Sequence, residues 1–266
     1  MIVTKCPVRI SLVGGSSDLE SFLKKNNEGS VISFPCSLNT YISVHENNRN
    51  KYIINYSSSE EVDTIDQIKN DVARVVLQYF RPQSFLTISF NSDIFSVGSG
   101  LAASSSYMVA LIKSMCVYTG TNLSDFDICK LALELERKFN PLTGQQDTYG
   151  CGMMDFKRIN FRHGHDPSFT YLPSDFLDSF DMHLLYTGET RKSTNILKGV
   201  NVDKISGIIS TVNDMHHAIA KNDVSGFMSV LKEGWEMKKS SSKLILNNRL
   251  AEIDDIISKN KGVLAH

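Results

Sequence analysis

A glycine- and serine-rich run, Gly98-Ser99-Gly100-Leu101-Ala102-Ala103-Ser104-Ser105-Ser106, stands between the alternating segment Phe85-Leu86-Thr87-Ile88-Ser89-Phe90 and an apolar stretch from Tyr107 to Tyr118. The order reads as strand, loop, helix. Glycines let a backbone turn sharply and come close to a ligand, and the free amides at a helix start, with the positive end of its dipole, suit a phosphate. The run is therefore a candidate anion cradle. It is not the common P-loop, because Gly-x-x-x-x-Gly-Lys-Ser/Thr is absent and no lysine follows the glycines. Standing alone it is also readable as a plain connector ahead of a serine-capped helix.

A chain of 266 residues, 41% hydrophobic and 21% charged, is long enough for one large domain or two modest ones around a real core. With 28 basic against 29 acidic residues, nothing in the bulk charge points to nucleic acid or an anionic membrane surface. The five cysteines (Cys6, Cys36, Cys116, Cys129, Cys151) are scattered without a Cys-x-x-Cys pair, which fits reduced thiols filling a core. The start, Met1-Ile2-Val3-Thr4-Lys5, lacks a signal peptide's apolar stretch, and no run of about 18 apolar residues occurs, so the expected location is the cytoplasm.

In chain order, residues 2–13 read as a strand interrupted by Pro7, and Gly14-Gly15-Ser16-Ser17-Asp18 as a turn opening a short helix over 19–25. Residues 31–34, 40–44 and 52–54 read as separate strands of an antiparallel sheet, and 64–80 as a helix stopped by Pro82. Ser124 is placed to cap a helix that ends before Asn140-Pro141 and carries Glu136 at the margin of its buried face. Residues 143–147 read as a polar loop, followed by short strands to about Phe161. The turn-rich patch His163-Gly164-His165-Asp166-Pro167-Ser168 divides a β-rich part, residues 1–165, from a mostly helical part, residues 166–266. The second part is expected to hold a strand over 182–186 and helices near 193–197, 202–220, 224–238 and 250–260. Trp235 reads as a core anchor of that part, and His163, His165, His216 and His217 as surface or interface histidines without metal-site spacing.

Phosphoryl transfer needs a phosphate cradle, a divalent cation on hard oxygen ligands, a positive group for the transferring charge and a group that orients the acceptor hydroxyl. Residues 98–106 supply the first, Ser104 and Glu136 the second, Arg9 the third, and Asp147 or Asp18 the last. Taken singly these are ordinary: a helix-surface glutamate, a turn aspartate, a helix cap and a surface arginine. Their order and spacing are what give them meaning together.

That joint pattern resembles the family of galactokinase, homoserine, mevalonate and phosphomevalonate kinases, the GHMP kinases. Their glycine-rich motif, roughly P-x-x-x-G-L-G-S-S-A-A, is matched by residues 97–106, with Ala102 and Ala103 in place of the usual Gly-Ser. Glu136 and Asp147 stand eleven residues apart, as the family's metal glutamate and catalytic aspartate do, and Cys6-Pro7-Val8-Arg9 with residues 14–18 resembles its first motif. The resemblance implies a two-domain α+β fold, with a ribosomal-protein-like N-terminal domain and a ferredoxin-like helical C-terminal domain. It implies ATP on residues 98–105, Mg²⁺ on Ser104 and Glu136, catalysis by Asp147 and Arg9, and sugar binding by Asp18 with Gly14, Gly15 and Ser17. The family's third motif is a glycine-rich loop after the last helix. This chain stops at Lys261-Gly262-Val263-Leu264-Ala265-His266, where that loop should begin, and so reads as truncated.

Within the family, the Arg-x-Ser-Leu-x-Gly-Gly-x-x-Asp form, the run Gly144-Gln145-Gln146-Asp147-Thr148-Tyr149-Gly150 and the run Tyr186-Thr187-Gly188-Glu189-Thr190-Arg191 look most like the D-glycero-D-manno-heptose 7-phosphate kinases, which phosphorylate the anomeric hydroxyl. The likeness adds Gly144, Gln145, Thr187, Gly188 and Arg191 to the sugar-binding set. It implies a small sugar phosphate as substrate, and offers Arg191, Lys192, Lys157 and Arg158 as partners for its phosphate. Another sugar 1-kinase of the fucokinase type, or a regulator that binds ATP or sugar without transfer, are the alternatives. An RNA-binding role is disfavoured by the balanced charge and the lack of an aromatic and basic stripe.

Overall fold

The computed structural model describes residues 1–94, 98–188, 207–242 and 245–266. The helix expected at 193–197, the start of that at 202–220, and Val97, Arg191 and Lys192 lie outside the described residues. The chain is α+β and divides into two compact units, Met1–Arg9 with Pro35–Met154 and Ile10–Phe34 with Asp155–His266. These units do not follow a linear division at 165/166. Two long strands, β1 (Ile2–Val13) and β2 (Glu28–Glu46), run on from one unit into the other, so the second unit takes in residues 10–34.

In the first unit the second half of β2 pairs antiparallel with β5 (Leu86–Ser92), with Val44 opposite Ile88 and Ile42 opposite Phe90. β3 (Tyr52–Asn55) pairs antiparallel with β4 (Ser59–Val62) but parallel with β5, so the expected all-antiparallel arrangement is corrected. Ile42, Val44, Ile54, Leu86 and Ile88 point to one face and are fully buried there. Against them pack α2 (Asp71–Phe80), α3 (Ala103–Thr119) and α4 (Asp125–Arg137). The apolar residues of α3 do not form a single stripe, because it is the central helix of the core: Met108, Val109, Ala110, Leu111, Ile112 and Met115 are all fully buried.

Residues 64–80 are not one helix. A single 3-10 turn (Ile65–Gln67) precedes α2, because the Glu60 carboxylate accepts the amides of Lys69 and Asn70 at 2.6 and 2.9 Å, and the Asn70 side chain then caps α2 through the Ala73 amide at 2.9 Å. Ser124 caps α4 as expected, accepting from the Asp127 amide. The stretch after residue 143 differs from a plain loop: α5 (Gln146–Gly152) lies there, ahead of β6 (Lys157–Arg162) and β7 (Ser168–Tyr171).

In the second unit the first part of β2 pairs antiparallel with β6, and β6 with β7. Val13, Ile32, Phe34, Phe156 and Phe176 form a core with Val212, Met215 and Ile219 of α6 (Ile208–Ala220) and Phe227 of α7 (Val224–Ser241). The last helix is α8 (Asn248–Lys259). Residues 182–186 form no strand, and Met182, Leu184, Leu185 and Tyr186 are exposed. Trp235 is half-buried rather than a core anchor, its indole N–H donating to Asp254 at 2.6 Å across α7 and α8. Among the described residues no helix is long and apolar enough to cross a membrane.

Candidate active site

The loop at residues 98–102 depends on left-handed backbone. Gly98 and Gly100 have φ of 69° and 76°, and Ala102 sits at φ 62°, ψ 34°, the position from which α3 starts. The first helical bond runs from the Ser106 amide to the Ala102 carbonyl at 3.0 Å. The amides ahead of Ser106 therefore open toward the loop, the arrangement that favours an anion. The three serines that follow have different surroundings. Ser104 is exposed, Ser105 donates to the Glu136 carboxylate at 2.7 Å, and Ser106 donates to the Cys6 carbonyl at 2.9 Å and meets Thr40 at 2.7 Å. Ser106 thus fastens the helix start to β1, and the Cys151 thiol fastens the Ala102 carbonyl at 3.7 Å. Burial pushes the Cys6 thiol up to about 11 and raises that of Cys151 well above the ordinary thiol range, so both remain protonated packing groups.

Glu136 lies on the buried side of α4, only 3% exposed. Burial pushes its carboxyl up to about 7; the Ser105 hydroxyl pulls it back, the charge of Asp147 raises it again, and Thr143 and Ser104 lower it slightly. A cation set beside this carboxylate would offset the cost of burying its charge. Among the described residues no cluster of three or more His, Cys, Asp or Glu side chains is preassembled for a metal. Mg²⁺ suits such a setting, since it is commonly held by one or two carboxylates together with phosphate oxygens and water. Glu136 with the exposed Ser104 hydroxyl near it fits that ion.

Asp147 stands in the first turn of α5, and Arg9 on β1 donates to it through Nη2 at 2.5 Å. Through Nη1 the same guanidinium donates to the Gly100 carbonyl at 2.9 Å, and the Arg9 amide bonds the Leu101 carbonyl at 3.2 Å. One side chain therefore ties the glycine loop to the carboxylate. Gly150 makes room for it, since a Cβ there would stand 3.0 Å from Arg9 Cγ. Gln145, 8% exposed, and the half-buried Gly144 lead directly into α5.

The remaining expected residues belong to the second unit. Asp18 is 1% exposed. Ser17 donates to the Gly14 and Ser30 carbonyls, both at 2.8 Å, and accepts the Ser30 amide at 2.9 Å, which makes it a brace of the turn. Gly14, at φ 94°, leaves no space for a side chain: a Cβ would meet the Ser30 carbonyl at 2.1 Å and Val212 at 2.8 Å. Gly15 is half-buried between them. Thr187 and Gly188 follow the irregular stretch at 182–186, with Gly188 at φ 76°, while Arg191 lies outside the described residues. Sequence reasoning placed Ser105 in the phosphate loop but missed its 2.7 Å bond to Glu136, and it missed Lys238, whose Nζ reaches the Ser16 hydroxyl at 3.1 Å. A serine triplet and a helical lysine carry no signal of that kind. Nor are the histidines all at the surface: His216 is half-buried, and burial, Arg158 and His217 together lower its imidazole pKa.

Residues 67–154, which hold the glycine loop, Glu136 and Asp147, match the family described as GHMP kinases N terminal domain. The chain carries a GHMP kinase N-terminal domain. It is a phosphotransferase with an alcohol acceptor, as its sugar-kinase relatives are. It is 24% identical over 277 residues to the D-glycero-alpha-D-manno-heptose 7-phosphate kinase of Campylobacter jejuni subsp. jejuni serotype O:2, covering 95% of this chain and 81% of that protein. It is 25% identical over 160 residues to the galactokinase of Thermotoga maritima, with 57% of this chain and 41% of that protein covered. Among solved structures, a D-glycero-D-manno-heptose 1-phosphate kinase from Bacteriodes thetaiotaomicron superposes with a TM-score of 0.75 at 25% identity, over 90% of this chain and 79% of that one. The mevalonate kinase of Methanococcus jannaschii, 17% identical, shares the fold with a TM-score of 0.67 over 97% of this chain and 84% of its own.

Proposed function

We propose that this chain is an ATP- and Mg²⁺-dependent sugar kinase that phosphorylates the anomeric hydroxyl of D-glycero-D-manno-heptose 7-phosphate, giving the 1,7-bisphosphate. The observation that carries a phosphoryl-transfer reading is the Arg9 guanidinium, bonded at once to Asp147 and to the glycine-loop carbonyl of Gly100. The choice of sugar is supported by the relative of that activity, matched along 95% of this chain.

The glycine loop and the first turn of α3 take the ATP phosphates through backbone amides. Glu136 and Ser104 would hold Mg²⁺, which would supply neutralisation of phosphate charge. Arg9 places positive charge where the transferring phosphoryl group gains negative charge, and it holds one Asp147 oxygen so that the carboxylate keeps one orientation. Asp147 accepts the proton of the acceptor hydroxyl. In the second unit, Asp18 binds sugar hydroxyls, on a turn held in shape by Gly14 and Ser17.

The test is Mg·ATP-dependent turnover of a panel containing D-glycero-D-manno-heptose 7-phosphate, fucose, galactose and mannose, repeated with Asp147→Asn. Turnover confined to the heptose phosphate, with kcat lowered by about 10²-fold or more in the variant, is the expected result. Turnover of fucose or galactose alone would replace the substrate, and an unchanged kcat in Asp147→Asn would remove that residue from the chemistry.

A further inference from the structure

β6 and α6 bring together a second set of polar groups, apart from the glycine loop and its carboxylates. Arg158 of β6 stands opposite Ile32 of β2, and Asn160 opposite Ser30, so both lie on the side of the sheet where Ile32 shares a core with Val212 of α6. On its other flank Arg158 is opposite Thr170 of β7, an exposed residue on the last strand of the sheet. Arg158 is half-buried, and its Nε donates to the Ser30 hydroxyl at 2.9 Å and to the Asn160 side-chain carbonyl at 2.8 Å. The guanidinium is thus held by one nitrogen. Among the described residues neither of its terminal nitrogens has a protein partner, and neither is closed off from solvent. No carboxylate offsets the charge; burial alone acts on the group, and it lowers its pKa.

The surroundings are positive as well. α6 reaches the turn at Gly14, where a Cβ would stand 2.8 Å from Val212 Cγ2 and 2.1 Å from the Ser30 carbonyl. One helical turn beyond Val212 comes His216, whose Nδ1 is closed off from solvent without a partner. Burial, the charge of Arg158 and that of His217 all disfavour a proton on its imidazole. Ser30 joins this cluster to the turn. Its hydroxyl accepts from Arg158, while its carbonyl accepts from the Ser17 hydroxyl at 2.8 Å and its amide donates to that hydroxyl at 2.9 Å. A half-buried guanidinium without a counter-charge is stabilised by an anion. Two open nitrogens in one plane match an oxyanion bidentately, and a dianion offsets the field on His216 as well, which favours a phosphate over a carboxylate.

We propose that Arg158 anchors a phosphate-binding site beside the turn at 14–18. The bound group is a phosphate dianion, either the monoester of the sugar substrate or a separate phosphate ion. In the first case the inference rests on the reading of residues 14–18 as the sugar-binding turn; in the second it stands without that reading.

Calorimetric titration of the full chain without ATP, in chloride at constant ionic strength, tests it. The titrants are inorganic phosphate, D-glycero-D-manno-heptose 7-phosphate, the unphosphorylated heptose and acetate, and the chains are the wild type, Arg158→Gln and Arg158→Lys. The expected result is phosphate binding by the wild type, weakened about tenfold or more in Arg158→Gln and by less in Arg158→Lys, which keeps the charge without the fork. A loss for the heptose phosphate that spares the unphosphorylated heptose identifies the substrate's own phosphate. A loss for inorganic phosphate alone, with both sugars bound equally by all three chains, identifies a separate ion. No binding of either phosphate species by the wild type, equal binding by Arg158→Gln, acetate bound as tightly as phosphate, or equal losses for the two sugars without one for inorganic phosphate would each overturn the proposal.

A second measurement leaves residue 158 intact. The His216 imidazole resonance of the wild type, assigned with His216→Gln, should titrate at higher pH in saturating phosphate than in chloride, because an anion on Arg158 offsets the charge that disfavours its proton. An unshifted midpoint overturns the proposal even where Arg158→Gln fails to fold. Turnover is read separately: phosphate binding that depends on Arg158 without phosphoryl transfer removes the kinase reading and leaves this one standing, whereas transfer without such binding does the reverse.

Discussion

Arg9 donates to the Asp147 carboxylate at 2.5 Å and to the Gly100 carbonyl at 2.9 Å, using its two terminal nitrogens for two different elements. The side chain is 11% exposed, and the pair spans 138 residues of sequence. A planar fork can serve both acceptors in one rigid geometry; a single ammonium cannot.

Arg9→Lys should therefore keep the charge and lose the geometry. Steady-state kinetics with Mg·ATP should show kcat lower by about 10²-fold, near 3 kcal/mol at 1.36 kcal/mol per decade, with a thermal midpoint close to that of the parent. A kcat within threefold of the parent would mean that the fork does not position the reacting groups.

Ala102 carries a strain that glycine would remove. Its φ of 62° and ψ of 34° lie in the left-handed region, where the methyl group of an L-residue costs about 1–2 kcal/mol. Ala102→Gly gives back part of this as extra freedom of the unfolded chain, leaving a net gain of about 0.5–1 kcal/mol. Urea unfolding should show a higher midpoint; an equal or lower one would mean that the loop relaxes around the methyl group at no cost.

α5 holds the helix least readable from sequence, and its glycines explain why. Gln-Asp-Thr-Tyr-Gly-Cys-Gly has little helix propensity, yet Gly150 admits the Arg9 stem and a Cβ at Gly152 would stand 2.2 Å from Cys129 Sγ. Gly152→Ala should cost about 1–3 kcal/mol through overpacking, and Cys129→Ala in the same chain should recover at least 1 kcal/mol of it. Denaturant unfolding of the two single variants and the double variant measures this directly. Strict additivity would count against the contact.

Other elements were legible for equally physical reasons. The helical spacing and the Ser124 cap reveal α4, and Gly98 and Gly100 mark the loop before α3 because no other residue adopts φ near 70° so readily. The continuous β2 was hidden by turn-forming residues around Pro35; it is one strand because it changes partner along its length, pairing with β6 over residues 28–33 and with β5 over 40–46. Glu136 and Asp147 were candidates on chemistry alone but gained weight only through their spacing and the family likeness, since the burial that makes Glu136 unusual comes from the packing of α3 against α4. Lys238 looked like any solvated helical lysine, because the contact that distinguishes it joins residues 222 positions apart.

Glu136 makes stability depend on pH in a direction opposite to that of a salt-bridged carboxylate. Its carboxyl titrates at about 7 in the folded chain against 4.5 for an unperturbed glutamate, chiefly because burial penalises the charge. The folded state therefore binds this proton more tightly than the unfolded one. The contribution is fully present below about pH 4.5 and is lost as pH rises to about 7. Glu136→Gln is neutral throughout and keeps none of this dependence. The stability of the wild type minus that of Glu136→Gln, from urea unfolding without metal, should fall by on the order of 3 kcal/mol between pH 4.5 and 7.5. Millimolar Mg²⁺ at pH 7.5 should restore part of that loss in the wild type and none in the variant, since only the carboxylate gains from a neighbouring cation. A constant difference across the pH range would mean that water reaches Glu136 in solution, and a flat response to Mg²⁺ would take the carboxylate out of the metal site.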